Sequence, residues 1–163
     1  MEVGVSNKNT LENLNKALKM ELSAMHQYQL HAHVLEDWGL TRLAEKMRRE
    51  QAEEANHSDR FIGRILFLKG SPEVAFEKPP VRAQTLRDMF ASDLKDEEHA
   101  IAFYSRAARE ASEENDIGSR ALFEKIVLDE EGHKAWLETQ MGLLERLGEA
   151  AYSAHFLETV EEV

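Results

Sequence analysis

Residues 54–57 read Glu-Ala-Asn-His and residues 130–133 read Glu-Glu-Gly-His, so one Glu-x-x-His pair occurs twice, 76 positions apart. A further glutamate, Glu21 or Glu97, lies 33 positions before the glutamate of each pair. On a helix, the Glu and the His of one pair share a face because they are three residues apart. Each half of the chain can therefore direct three side chains to a common point, which predicts a carboxylate-bridged site for two metal ions in a helical bundle.

The repeat also includes a tyrosine seven residues after each upstream glutamate, namely Tyr28 and Tyr104. Two helical turns place each tyrosine on the face of its glutamate. A single Glu-x-x-His pair arises easily by chance in a chain with 31 acidic residues and seven histidines. The alternative is that the glutamates belong to an ordinary solvated helix surface. The equal spacing of all the repeated residues favours the metal site.

The composition predicts one all-α domain that spans residues 1–163. Hydrophobic residues make up 42% of the chain, which has only eight glycines and three prolines. A net charge of -11 argues against nucleic acid as a partner. The chain has no cysteine, so a metal site must use oxygen and nitrogen ligands, which favour iron or manganese. No targeting segment or apolar run of about 20 residues is present, so we expect a cytoplasmic protein without a membrane span.

Helical periodicity predicts four long helices and a short fifth one. Asn9 with Glu12, Thr85 with Asp88, and Asp116 are suited to begin the first, third and fourth helices. Glycines or turn residues follow the helices, and an acidic tail follows the fifth. The predicted helices cover residues 10–37, 41–69, 85–114, 117–147 and 149–158.

The connection between the second and third helices, up to Gln84, contains three prolines and has no helical period. About 14 extended residues span roughly 46 Å, close to the roughly 45 Å length of a 30-residue helix. The connection can therefore cross the whole bundle and make the second and third helices parallel. In both hairpins the repeated glutamates fall at mid-height. The sequence thus predicts a ferritin-like four-helix bundle with one long crossover.

Several residues around the predicted ligands are candidates for supporting roles. Asp93 and Asp129 could accept the free N–H of a ligand histidine, or they could be solvated surface residues. Tyr28 and Tyr104 could bond ligand carboxylates, donate an electron, or be ordinary interior tyrosines, and Tyr28 is predicted to be catalytic. We expect Trp38 and Trp136 to pack in the bundle. The remaining histidines are predicted to be surface or interface residues: His26, His31, His33, His99 and His155.

Four segments resemble the bacterioferritins, and the resemblance covers nearly the whole chain. They are Leu-Asn-Lys-Ala-Leu-Lys-Met-Glu-Leu-Ser-Ala (14–24), Glu-Asp-Trp-Gly-Leu (36–40), Arg-Ile-Leu-Phe-Leu-Lys-Gly (64–70) and Asp-Glu-Glu-Gly-His-Lys-Ala-Trp-Leu-Glu-Thr (129–139). The resemblance implies a cage of 24 subunits, a di-iron ferroxidase centre in each bundle and stored ferric mineral. It also implies that Glu54 and Glu130 bridge the irons. Glu21 with His57, and Glu97 with His133, are then terminal ligands.

The chain departs from the family pattern at two places. Bacterioferritins bind haem through a methionine that directly follows the ligand glutamate of the second helix, and this chain has Ala55 there. Haem is therefore expected to be missing, and Met25 and Met47 are predicted to pack. Arg49 and Glu53 occupy the positions where the family may use a His and an Asp for cavity iron, so that extra site is not expected.

These observations predict an iron-storage ferroxidase that uses oxygen or hydrogen peroxide. One alternative is the ferroxidase subunit of a mixed cage whose second subunit binds haem. Another is a mainly structural subunit of such a cage. A rubrerythrin-like peroxidase has a similar ligand set, but it normally carries a cysteine-ligated electron-transfer domain. A mini-ferritin of 12 subunits is an alternative assembly.

Overall fold

The computed structural model describes residues 7–158, which form five α-helices and, within that range, no β-strand. The helices pack as two hairpins joined by the long connection, so the predicted ferritin-like bundle with a short C-terminal helix is confirmed. The acidic tail predicted after residue 158 lies outside the described residues. The helices are α1 (Lys8–Asp37), α2 (Thr41–Phe67), α3 (Leu86–Glu113), α4 (Ile117–Leu147) and α5 (Glu149–Ala154).

Two apolar clusters fill the two ends of the bundle. One cluster joins the end of α1, the start of α2, the start of α3 and the end of α4 with α5, and it includes Leu35, Leu43, Phe90, Leu137 and Tyr152. The other joins the opposite ends of the same four helices, and it includes Leu14, Phe61, Tyr104, Phe123 and Ile126. The starts of α2 and α3 therefore lie at one end of the bundle, so these helices are parallel, as a crossover requires. Both Trp38 and Trp136 pack against the first cluster, as predicted.

A row of four α1 side chains, spaced four residues apart, binds the crossover. Asn15 accepts from the N–H of Glu73 at 2.8 Å, and Lys19 pairs with the Glu73 carboxylate. Ser23 Oγ accepts from the N–H of residue 77 at 2.8 Å, and Gln27 exchanges two hydrogen bonds of 2.9 Å with the backbone of residue 81. Spacing of four residues keeps the row on one face of α1. The crossover thus runs along α1, which supplies partners for the backbone N–H groups of residues 73, 77 and 81.

The starts of α3 and α4 have the predicted caps. Thr85 Oγ accepts from the N–H of Asp88 at 3.0 Å, and an Asp116 carboxylate oxygen accepts from the N–H of Ser119 at 2.9 Å. Asp116 also pairs with Arg64 of α2, so this cap ties the two hairpins together.

The predicted cap of α1 by Asn9 is wrong, because Asn9 lies inside the helix. Glu114, in the turn after α3, instead accepts from the N–H of Asn9 at 3.1 Å and from the N–H of Thr10 at 3.0 Å. A carboxylate at a helix N-terminus satisfies free N–H groups and opposes the positive end of the helix dipole. This long-range cap is absent from local sequence patterns.

Helix α5 is shorter than predicted and ends at Ala154. The chain then turns, and the carbonyl of Phe156 accepts from the N–H of Arg42 in the first turn of α2 at 3.2 Å. The Phe156 ring packs against Tyr152 at 4.9 Å between centroids. These contacts favour a turn over continued helix. Within residues 7–158, no helix is both long and apolar enough to cross a membrane.

Candidate metal centre

The six predicted ligands lie together in a buried layer between the two apolar clusters. They form two groups of four, and each residue of a group offers an oxygen or nitrogen atom within 4.8 Å of the others. All six residues are at most 7% exposed. The groups share two glutamates and consist of Glu21, Glu54, His57 and Glu130, and of Glu54, Glu97, Glu130 and His133.

Each shared glutamate directs one carboxylate oxygen toward each histidine. Glu54 Oε2 lies 3.3 Å from His57 Nδ1, and Glu54 Oε1 lies 3.3 Å from His133 Nδ1. Glu130 does the same, at 3.1 Å from His57 and 3.6 Å from His133. The other two glutamates each approach one histidine only, at 3.5 Å. This arrangement has the form of two neighbouring sites joined by two bridging carboxylates.

The donor atoms inside this layer suit divalent cations. Within residues 7–158, both carboxylate oxygens of Glu54 and the Nδ1 atoms of His57 and His133 are buried without an aligned hydrogen-bond partner. One carboxylate oxygen of Glu97 and one of Glu130 are also buried without an aligned partner. Buried polar atoms are normally paired, and oxygen with imidazole nitrogen is a donor set that iron and manganese accept. The residues therefore fit a pair of such ions.

Crowding of the carboxylates perturbs the pKa values in the layer. Burial and the negative charge of Glu54 raise the pKa of Glu21, and burial with the contact to Glu130 raises that of Glu97. Burial alone also raises the pKa of Glu130, but contacts with Glu97 and both histidines outweigh it and hold that pKa well below its ordinary range. A divalent cation would favour the charged form of all these groups.

The two imidazoles have strongly raised pKa values. Burial alone lowers the pKa of His57, yet its contacts with Glu130, Glu21 and Glu54 outweigh burial and raise it far above the ordinary value. Burial likewise lowers the pKa of His133, but its contacts with carboxylates, above all Glu130, outweigh burial and raise that pKa far above the ordinary value. Both rings are therefore protonated in the metal-free protein at neutral pH.

Carboxylates also face the outer nitrogens of the two rings. His57 Nε2 lies 3.3 Å from Asp129, so the prediction that Asp129 faces such a histidine matches the geometry. His133 Nε2 lies 2.8 Å from Glu50 and 3.0 Å from Glu53. Glu53 and Asp129 are 76 positions apart, so each is the counterpart of the other in the repeat. The counterpart of Glu50 is Ile126, which is not a carboxylate. Sequence analysis missed Glu50, which is only 4% exposed.

Each of the two repeated tyrosines donates a hydrogen bond to a glutamate in the other half of the chain. Tyr28 donates a hydrogen bond of 2.8 Å to Glu97, in the other half, and Tyr104 donates one to Glu21. Burial and the neighbouring carboxylates raise the pKa of both phenols well above the ordinary value. Each tyrosine therefore stays protonated and holds one glutamate of the opposite hairpin.

Two expectations about polar residues are wrong. His31, expected at a surface or interface, is 1% exposed, and its Nε2 lies 2.8 Å from Asp93. Asp93 therefore faces His31 and not a histidine of the six-residue cluster. The spacing of five residues between His26 and His31 did not indicate that His31 is buried. His33, His99 and His155 are exposed as expected, and His26 is half-buried.

Known proteins with a similar sequence and structure are ferritin-like. The family described as “Ferritin-like domain” matches residues 11–147. The bacterioferritin of Brucella melitensis is 42% identical over 142 residues, which cover 87% of this chain and 88% of that protein. The bacterioferritin of Rhodobacter capsulatus is 41% identical over 143 residues, which cover 88% and 89%.

Solved structures agree with the sequence comparison. The structure of Rhodobacter capsulatus bacterioferritin, described with a metal-free dinuclear site and a haem iron, has a TM-score of 0.90 at 38% identity. That comparison covers 94% of this chain and 96% of the other. The structure of BfrA from Mycobacterium tuberculosis also has a TM-score of 0.90 at 38% identity, and covers 93% and 94%.

The metal-free protein is expected to lose thermal stability as the pH rises above about 6.5, the ordinary pKa of histidine. The native state keeps protons on His57 and His133 that the unfolded chain releases, so the free energy of unfolding falls with rising pH. Thermal unfolding followed by circular dichroism with a chelator, from about pH 6 to pH 9, measures this slope. The slope should be shallower in His133→Gln, whereas the exposed control His33→Gln should match the parent. Equal slopes in all three proteins would contradict the assignment.

Proposed function

Because the chain belongs to the bacterioferritin family of ferritin-like proteins, we propose that it is an iron-storage ferroxidase. Two ferrous ions are its substrate, oxygen or hydrogen peroxide is the oxidant, and ferric product is stored as mineral in a multi-subunit cage. One observation carries this proposal. Glu54 and Glu130 each direct one oxygen toward each of two histidines, as bridging ligands of two ions would.

In this proposal Glu54 and Glu130 bridge the two irons, while Glu21 with His57 and Glu97 with His133 complete the two sites. Two ferrous ions supply two electrons, enough to reduce one hydrogen peroxide to water or one oxygen to hydrogen peroxide. The four carboxylates favour the ferric state because their negative charges attract an ion of higher positive charge more strongly. Asp129 orients the His57 ring through its contact with Nε2, and Glu50 and Glu53 place negative charge beside Nε2 of His133.

A second candidate is the ferroxidase subunit of a mixed cage. Ala55 favours it, because the position where the family has its haem methionine offers no thioether. The side chain of Ala55 is half-exposed on α2, beside the buried Glu54. A partner subunit with that methionine could supply haem, while this chain supplies the oxidation site.

Assembly into a cage is supported by the apolar surface of the subunit. Several large apolar side chains are more than half exposed in the single chain. They lie on α2, the crossover and α4, and include Phe67, Val74, Phe76, Val81, Ile117 and Leu128. Exposed apolar side chains of this size are candidates for burial between subunits.

Rapid oxidation of ferrous iron is expected on aerobic addition to the metal-free protein, seen as ferric absorbance. Glu54→Ala and His133→Ala each remove one donor and should slow the initial rate by about 10-fold or more. The matched controls are Glu45→Ala and His33→Ala, which change exposed side chains outside the cluster and should retain the parent rate. If the two site variants oxidise iron at the parent rate, the cluster is not the ferroxidase site. Repeated peroxide reduction without mineral accumulation would instead indicate a rubrerythrin-like peroxidase.

Where only one ferrous ion is oxidised, hydrogen peroxide still needs a second electron to become water. Tyr28 is proposed to donate that electron together with its phenolic proton, which leaves a tyrosyl radical. Its hydrogen bond to Glu97 couples the phenol directly to the centre. Tyr28→Phe is expected to keep the amount of bound Co²⁺ and to slow iron oxidation. A radical signal in electron paramagnetic resonance after rapid freezing should disappear in this variant. Tyr104→Phe is the matched comparison, and an unchanged radical signal in Tyr28→Phe would exclude this role.

The native mass of the purified protein is expected to be near 450 kDa, about 24 copies of the 18.7 kDa chain. Native mass spectrometry with metal analysis and haem absorbance measures assembly and cofactor together. A cage of this chain alone without a haem Soret band is the expected result. Haem that accompanies a second type of subunit would establish the mixed cage. A mass near half the expected value would indicate a mini-ferritin of 12 subunits.

A further inference from the structure

A cavity of about 420 Å³ extends from the six-residue cluster to the surface between α1, α3 and the crossover. Its inner part is lined by glutamates of the cluster, including Glu21 and Glu97, together with both tyrosines. Its outer part is lined by exposed residues of the crossover and α3, including Lys78, Lys95 and His99. The cavity is therefore a passage from solvent to the centre.

Asp93 lies in the wall of this passage and has one carboxylate oxygen to spare. The residue is 3% exposed, and its Oδ1 lies 2.8 Å from His31 Nε2. Its Oδ2 is buried and, among residues 7–158, has no hydrogen-bond partner. Burial raises the pKa of Asp93, and the contact with His31 offsets that effect only in part. A carboxylate in this condition gains from a cation, which satisfies the unpaired oxygen.

The internal repeat shows that the centre itself does not require this polar pair. Positions 76 residues away from Asp93 and His31 hold Ala17 and Ala107. Gln27, whose amide lies 3.4 Å from His31 and bonds the crossover backbone, has Phe103 as its counterpart. The polar residues thus occur only where the crossover covers α1. These polar residues therefore lie beside the passage in one half of the repeat and have no polar counterparts in the other half.

The charges at the outer end of the passage are balanced. Lys78 of the crossover pairs with Asp96 of α3 at 2.5 Å, and both residues line the cavity. This ion pair neutralises a lysine that would otherwise repel cations. Asp93 is a buried carboxylate of the cavity wall and lies one helical turn before Glu97 on α3.

We propose that ferrous ions reach the cluster along this passage and that Asp93, held by His31, is a transient cation site within it. This inference rests on the proposed function. One free carboxylate oxygen, with water completing the coordination, binds a divalent ion weakly enough for it to move on. The four glutamates of the cluster then draw the ion inward.

The test uses Co²⁺, which binds oxygen and nitrogen ligands and is not oxidised by air under these conditions. Stopped-flow absorbance follows Co²⁺ binding to the metal-free, assembled protein. Asp93→Asn keeps the shape of the side chain and removes its charge, so binding should be about 10-fold slower with the same final amount bound. Asp59→Asn makes the same change at an exposed α2 position away from the cavity, and it should bind at the parent rate.

A second variant tests the passage without changing the His31–Asp93 pair. Ala24 lines the cavity from α1, and Ala24→Leu adds bulk there, so it should also slow Co²⁺ binding. If both variants bind Co²⁺ at the parent rate, the passage is not the route and the proposal is wrong. If the parent oxidises no ferrous iron but both variants still bind Co²⁺ slowly, the ferroxidase function fails and the passage stands.

Discussion

Repulsion among four buried carboxylates is the constraint on which this structure depends. Glu21, Glu54, Glu97 and Glu130 lie in one buried layer, where solvent screens their charges poorly. In the metal-free protein, protons on the two histidines and raised pKa values at Glu21 and Glu97 relieve part of the repulsion. Two divalent ions would bring four positive charges, equal to the four carboxylates. The apolar clusters at both ends supply the stability that lets the bundle keep such a layer.

The internal repeat explains the symmetry of the centre, and the crossover explains where that symmetry ends. Each tyrosine holds the glutamate of the other hairpin, so neither half of the centre is complete without the other. The crossover, however, runs along α1, where the row from Asn15 to Gln27 binds it, and the second half of the repeat has no such contact among residues 7–158. His31 and Asp93 lie beside this covered face. The two halves share ligand types but differ in their access to solvent.

The sequence predicted the features that depend on regular spacing. The limits of the four long helices, correct to within two residues, the crossover and the grouping of the six residues all follow from regular spacing along the chain. The sequence did not indicate pairings between distant segments. Glu114 caps α1 across 104 positions, and His31 meets Asp93 across 62, so only the packed bundle brings them together. Glu50 was not predicted because its counterpart in the repeat is not acidic. The end of α5 was not predicted because it depends on Phe156, which packs back on α2.

The proposed oxidation and the storage of iron have different structural requirements. All six residues of the centre and both tyrosines come from one subunit, so the proposed oxidation needs no residue from a neighbour. Storage needs a closed cage, and the exposed apolar residues of α2, α4 and the crossover offer the surface for it. Ala55 concerns the surface between subunits and not the centre, because it is half-exposed while the adjacent Glu54 is buried in the centre. The absence of a thioether at residue 55 therefore leaves the six-residue cluster intact, and in the proposed mixed cage a second subunit would supply the haem ligand.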